Sequence, residues 1–118
     1  MRRSELIQII ESKKSVLCVG LDPDINKLPR SYSPNAKGLA QFCKDIIDST
    51  ADHAVAYKPN LAFFESLGSS GWEALAEVAE YLKGFPEHFS IADAKRGDIG
   101  NTSRMYEEGI LNKMGFDP

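Results

Sequence analysis

Hydrophobic residues along the chain change their spacing several times, which divides the sequence into short alternating segments. Stretches with apolar residues three or four positions apart are typical of helices packed on one face, and they predict four helices, at 4–13, 35–53, 72–82 and 102–113. Short runs rich in apolar residues, each bounded by turn residues, predict three strands, at 16–21, 54–58 and 89–95. Ser4 is predicted to cap the first helix.

Val16 to Leu21 form a continuous apolar run, which is typical of a strand buried on both faces. After the leading helix the predicted order is β-α-β-α-β-α, with strand starts roughly 35 to 40 residues apart, the spacing of βαβ units. Right-handed crossovers place such strands side by side and parallel. The sequence therefore predicts an α/β fold with a parallel sheet.

The length of the chain limits how large that fold can be. It has 118 residues, whereas a closed (β/α)8 barrel needs about 250, so the chain can hold at most half of one. No segment has the composition of a linker or repeats another, and we expect residues 1–118 to be part of a single domain. Residues 116–118 stand where a fourth strand would begin, so we expect the chain to stop before that strand.

Composition narrows the classes of function. The net charge is −3 and the pI is about 5.4, which argues against nucleic-acid binding. No apolar run approaches the ~20 residues of a membrane helix, and the N-terminus lacks the apolar segment of a signal peptide. Cys18 and Cys43 form no CxxC pair and lie in apolar patterns, which predicts buried free thiols in a reducing cytoplasm.

Polar residues stand at the C-terminal end of each predicted strand. Asp22 follows the first strand. Lys58 and Asn60 share one face of the second, because side chains two positions apart point the same way. Asp93 and Lys95 share one face of the third. Since ligands of parallel α/β proteins bind at the carboxyl ends of the strands, we expect a functional site there.

Each of these residues also has an ordinary structural explanation. Asp22 alone is typical of a turn or helix cap, and Lys58 alone is typical of a solvated strand end. Asp93 and Lys95 can form a structural ion pair. Asp98, however, completes a set of two cations and two anions with Lys58, Asp93 and Lys95. Such a neutral set adds little to stability and is typical of a site with tuned protonation.

Three separated motifs at these positions are specific in combination. They are Val16–Asp24 with its Gly-Leu-Asp-Pro-Asp, Tyr57-Lys58-Pro59-Asn60, and DAKRGDIGNT at 93–102. Together they resemble the orotidine 5′-phosphate decarboxylases, and the third is most similar to a bacterial branch of that family. The resemblance covers the chain in order. It implies a (β/α)8 TIM barrel of which this chain is the N-terminal part, with about three βα units after the leading helix.

The resemblance also implies an activity, the conversion of orotidine 5′-monophosphate to UMP and CO2 in de novo pyrimidine synthesis. The family acts as a homodimer and uses neither a metal nor an organic cofactor. Asp22 is implied to bind the ribose hydroxyls, Asn60 to line the same sugar–base region, and Lys58 to contact the ribose and orient the network. The family's phosphate-binding arginine and closing loop have no counterpart here, so we expect residues 1–118 alone not to form UMP measurably.

At the reacting carbon, the resemblance places Asp93 against the substrate carboxylate and makes Lys95 the proton donor to C6. Loss of CO2 leaves electron density on an sp² ring carbon, which a nearby ammonium stabilises and then protonates. Asp98, with Ile99 and Thr102 beside it, is implied to reach across the dimer interface into the partner's site.

Two alternatives stay open at this point. A metal-dependent sugar-phosphate decarboxylase or synthase of the same barrel group shares the D-x-K-x-x-D strand end but needs a further carboxylate ligand. A non-catalytic α/β segment would use the same charges only to cap its strands. Among the remaining residues, His53 is predicted at a helix end, His88 and Gly68–Gly71 in loops, and Glu65 on the ordinary surface.

Overall fold

The three predicted strands form one parallel sheet in the order β1-β2-β3 in the structure, a computed structural model that describes residues 1–118. The strands are β1 Leu17–Leu21, β2 Ala54–Pro59 and β3 Phe89–Ser90. β3 is shorter than the predicted 89–95, but backbone pairing with β2 continues past it, from Ile91 N to the Tyr57 carbonyl at 2.8 Å and from Asp93 N to the Pro59 carbonyl at 3.0 Å. Asp93 also bridges Asn60. The parallel α/β architecture is confirmed.

All four predicted helices are present, and the structure adds a fifth. They are α1 Arg3–Lys13, α2 Ala36–Thr50, α3 Leu61–Glu65, α4 Ser69–Leu82 and α5 Gly100–Glu107, with a 3-10 turn at Ile25–Lys27 and a π-helical continuation of α5 at Glu108–Lys113. The added helix, α3, has five residues, too few for helical periodicity to be visible in the sequence. None of the helices has the length and apolar character that crossing a bilayer requires.

Two helix starts differ from the prediction. Ser4 lies inside α1 and does not cap it. The helix start is instead closed by the Glu5 carboxylate, which accepts a hydrogen bond from the backbone N of Arg2 at 2.5 Å. The stretch Gly68–Gly71, predicted as a loop, contains the first turn of α4. Gly68 precedes that turn with φ +70°, a conformation that glycine adopts without strain.

The helices cover one face of the sheet and form the core there. Tyr57 of β2 is 1% exposed in this core. Its hydroxyl hydrogen-bonds Thr50 Oγ1 at 2.8 Å and the carbonyl of Ile47 at 3.2 Å. Because a buried hydroxyl without a partner is costly, these bonds fix α2 against β2.

β1 is largely exposed, which corrects the prediction that the first strand is buried on both faces. Val16 is 79% exposed and Leu17 44%, and Cys18 is exposed although it was predicted to be buried. The reason is that β1 lies at the sheet edge and pairs only with β2, whereas the central strand β2 is buried along most of its length. Cys43 in α2 is buried as predicted, and burial raises the pKa of its thiol to about 12.

Gly38 marks a very close contact between α2 and the loop before it. A Cβ at this position would stand 1.7 Å from the backbone oxygen of Ser33, and the side chain of Asn35, which caps α2, accepts a bond from Gly38 N at 3.0 Å. We expect Gly38→Ala to lower the free energy of unfolding by about 1–3 kcal/mol, because the backbone must move. Urea unfolding measures this change.

Gly109→Ala is the matched control, since nothing lies within 4 Å of a Cβ at that position. It should leave the free energy of unfolding unchanged or raise it slightly, as alanine is the better helix former. Equal losses for the two substitutions would contradict the packing described for α2.

Candidate active site

Backbone pairing between β2 and the segment after β3 builds the site. Asp93 N donates to the carbonyl of Pro59 at 3.0 Å, and the Asp93 carbonyl accepts from Leu61 N at 3.2 Å. On the other side of β2, Asn60 N donates to the carbonyl of Leu21 at 3.0 Å. These bonds bring the ends of all three strands to one edge of the sheet.

Asp93 lies between two lysines at this edge. Its Oδ2 is 3.2 Å from Lys58 Nζ and its Oδ1 is 2.5 Å from Lys95 Nζ. The Asp93 side chain is 22% exposed, less than either lysine. The hydrogen bond from Lys95, followed by that from Lys58, lowers the pKa of Asp93 below its ordinary value. The carboxylate therefore stays ionised at neutral pH and holds both ammonium groups.

The backbone of Lys95 adopts a left-handed conformation, with φ 52°. Lys14 is the one other non-glycine residue with positive φ, and it ends α1, where this conformation is common. Lys95 is not in a helix cap. Sparsely populated backbone conformations of this kind cluster at functional sites, because surrounding contacts must hold them.

A second polar pair lies beside the charged cluster. Asn60 Nδ2 donates to Asp22 Oδ2 at 2.9 Å, which joins the ends of β1 and β2. The other amide atom, Asn60 Oδ1, accepts from Ala62 N at 3.3 Å and caps α3. The orientation of the amide is thus fixed by its own helix, and Asp22 keeps an exposed carboxylate oxygen that can accept from hydroxyl groups of a ligand.

The structure does not bring the other predicted site residues to this cluster. Asp98 forms no ion pair, and its Oδ1 accepts from the backbone N of Ile99 at 2.8 Å. Ile99 is 84% exposed, and Thr102 is exposed in the first turn of α5. Within one chain, three of the four predicted charges therefore meet, and the fourth points elsewhere. The predicted role of Asp98, Ile99 and Thr102 across a dimer interface stays a prediction.

One ionic contact near the site was not predicted. Glu65 at the end of α3, expected to be an ordinary surface residue, forms an ion pair with Arg96. The sequence pattern did not indicate this ion pair, because Glu65 and Arg96 lie far apart in the chain and come together only in the folded structure.

His88 precedes β3 as predicted but is buried, and its burial lowers its pKa. No three His, Cys, Asp or Glu side chains form a group that could hold a metal ion.

A parallel α/β sheet with an ionised carboxylate between two lysines at its strand ends has the architecture and the site position of a (β/α)-barrel enzyme. Comparison with known proteins identifies the family. The profile of the Orotidine 5'-phosphate decarboxylase / HUMPS family matches residues 15–117. The chain belongs to this family, and its three βα units correspond to part of a (β/α)8 barrel.

Individual relatives agree with this assignment. The chain is 51% identical over 116 residues to the orotidine 5'-phosphate decarboxylase of Leptospira interrogans, covering 98% of this chain and 42% of that protein. It is 48% identical over 118 residues to that of Bacteroides fragilis, covering 99% and 43%. The chain thus spans less than half the length of the curated relatives it matches.

Solved structures show the same fold. The OMP decarboxylase of Leishmania donovani superposes with a TM-score of 0.74 at 36% identity, covering 94% of this chain and 41% of that one. The orotidine 5'-monophosphate decarboxylase of Plasmodium berghei superposes with a TM-score of 0.85 at 26% identity, covering 97% and 50%.

The two lysines should control the ionisation of Asp93. Replacing Lys95 with alanine removes the hydrogen bond that contributes most to the low pKa, so the pKa of Asp93 should rise. Lys58→Ala should raise it by less. A ¹³C NMR titration of the aspartate carboxyl carbons measures both shifts. Asp117, which accepts from Ser90 N at 2.8 Å near the start of β3, serves as the internal control. An unchanged pKa of Asp93 in both variants would contradict the geometry.

Proposed function

We propose that the whole protein containing this chain decarboxylates orotidine 5′-monophosphate to UMP and CO2, a step of pyrimidine nucleotide synthesis. The observation that carries the proposal is the row Lys58–Asp93–Lys95 at the carboxyl ends of the strands. The names of the relatives support it, because those of Leptospira interrogans and Bacteroides fragilis are both orotidine 5'-phosphate decarboxylases. A purely structural role for these charges would not require a strained backbone at Lys95.

Lys95 is the proposed proton donor. When the bond between C6 of the pyrimidine and its carboxylate breaks, CO2 leaves and the electron pair stays on C6. An N–H bond of the Lys95 ammonium then breaks, a C6–H bond forms, and the neutral amine is reprotonated from water. A fixed ammonium stabilises the developing negative charge more than it stabilises the substrate, which is the requirement for catalysis. The side chain of Lys95 is 69% exposed, so a ligand can reach it.

Asp93 has two proposed tasks. Its ionised carboxylate holds the ammonium groups of Lys58 and Lys95 in place, at 3.2 and 2.5 Å. It also stands against the substrate carboxylate, and their repulsion is relieved as CO2 departs. Lys58 would contact the ribose, and the Asp22–Asn60 pair would bind the ribose hydroxyls through the oxygen that Asp22 keeps exposed.

The remaining predicted residues are proposed to act in a homodimer. Asp98, Ile99 and Thr102 are exposed, and Asp98 has no cation of its own chain beside it. These properties suit residues that enter the site of a second copy. We further propose that residues 1–118 form the N-terminal part of a single barrel domain and that the protein acts in the cytoplasm on a free nucleotide. No cofactor is required in this scheme.

Replacing Lys95 with alanine in the whole protein tests the proposed function. The rate of CO2 release from orotidine 5′-monophosphate should fall by a factor of at least about 100, because the general acid is removed. Lys83→Ala is the control. Lys83 pairs with Glu80 at the far end of α4, away from the strand ends, so its loss should leave turnover unchanged.

The assay is run in excess chelator, under which a metal-dependent sugar-phosphate enzyme would stop. Wild-type protein that releases no CO2 from this substrate, or a Lys95→Ala variant that turns over at the wild-type rate, would refute the proposal.

A further inference from the structure

Arg96, the residue after Lys95, is held on three sides. Its guanidinium forms an ion pair with the Glu65 carboxylate. It lies over the ring of Trp72 in α4 at 5.5 Å and over the ring of Tyr106 in α5 at 5.8 Å, measured to the ring centroids. Its Nη1 also donates to the carbonyl of Ala94 at 3.2 Å. A side chain so constrained fixes the backbone that carries it.

Arg96 and Lys95 contact different parts of the molecule. Ala92 and Ala94 pack against the hydrophobic core, and Arg96 lies over aromatic rings of α4 and α5. Lys95, one position earlier, contacts Asp93 at 2.5 Å, and its side chain is 69% exposed. The helix-side contacts of Arg96 therefore act on the same short segment that aims Lys95 at Asp93.

The contacts of Arg96 are of a kind that lysine cannot reproduce. A guanidinium is planar, stacks on aromatic rings and presents several donors in a fixed arrangement, whereas an ammonium is a compact point charge. The Arg96 side chain is 19% exposed. At this partly buried position, cation–π and ionic contacts are less screened by water than at the surface.

We infer that Glu65 and Arg96 are positioning residues, which hold the strand-end segment so that Lys95 keeps its left-handed backbone and its ammonium stays against Asp93. This inference rests on the proposed function for its kinetic readout. Neither residue touches the reacting atoms in this scheme; each acts through Lys95. Because a displacement of about 1 Å of a catalytic group can cost a factor of about 100 in rate, loss of either residue should reach the chemical step.

Two conservative substitutions test the inference in the whole protein. Glu65→Gln keeps the size of the side chain and removes its charge, and Arg96→Lys keeps the charge and removes the planar group. Each should lower kcat for CO2 release by about 10- to 100-fold, while KM for orotidine 5′-monophosphate changes less than about threefold.

The chain offers a matched control at a distance from the site. Lys44 in α2 forms an ion pair with Glu77 at 2.5 Å and lies over the ring of Tyr81 at 5.4 Å. Glu77→Gln thus breaks the same combination of carboxylate, cation and aromatic ring between two helices. It should leave kcat at the wild-type value, with a change in Tm similar to that of Glu65→Gln.

A crystal structure of Glu65→Gln provides a readout that does not depend on activity. We expect the backbone of Lys95 to leave positive φ. We also expect its Nζ to move more than 4 Å from the carboxylate oxygens of Asp93, which breaks the ion pair. Wild-type kcat in both variants, or a retained Lys95–Asp93 contact in the crystal, would overturn the inference. If wild-type protein releases no CO2, the proposed function fails, and the crystal structure alone then decides whether Glu65 positions Lys95.

Discussion

The parallel pairing of Asp93 with the end of β2 is the interaction on which the site depends. Two backbone bonds, from Asp93 N to Pro59 and from Leu61 N to Asp93, place an aspartate directly beside Lys58. Lys95, with its left-handed backbone, brings a second ammonium to 2.5 Å from the same carboxylate. Without this pairing the three charges would belong to separate loops. The geometry of the candidate site is therefore a property of the register between β2 and the segment after β3.

The charged cluster of Lys58, Asp93 and Lys95 fits a functional role better than a stabilising one. Ion pairs that are partly open to water contribute little to stability, and here the side chains of Lys58 and Lys95 are 38% and 69% exposed. The arrangement keeps the Asp93 carboxylate ionised and holds the Lys95 ammonium in a fixed place. The Asp22–Asn60 pair extends the polar edge by one strand.

The sequence predicted the parts of the structure that depend on local pattern. The polar residues lie at the strand ends, as predicted. The hydrophobic periodicity indicated the strands, and crossover geometry predicted that they are parallel, so that their carboxyl ends meet at one edge. It did not predict that Cys18 is exposed, since burial of a strand depends on which faces other elements cover. Nor did it predict the Glu65–Arg96 contact, because the two residues lie far apart in the chain. The left-handed backbone of Lys95 was not predicted either, because lysine does not favour that conformation and the sequence pattern does not indicate it. The motif also pointed to Asp98, which does not join the charged cluster within this chain and bonds instead to the backbone N of Ile99.

Asp93→Asn in the whole protein tests whether the Asp93 carboxylate serves the proposed reaction and not the fold. The substitution keeps the size of the side chain and removes the charge between the two lysines. The measurement is the rate of CO2 release from orotidine 5′-monophosphate, taken alongside Tm for the same preparation. We expect the rate to fall by at least about 100-fold with a Tm close to that of the wild type. An unchanged rate, or a loss of rate that follows only from unfolding, would contradict this role of Asp93.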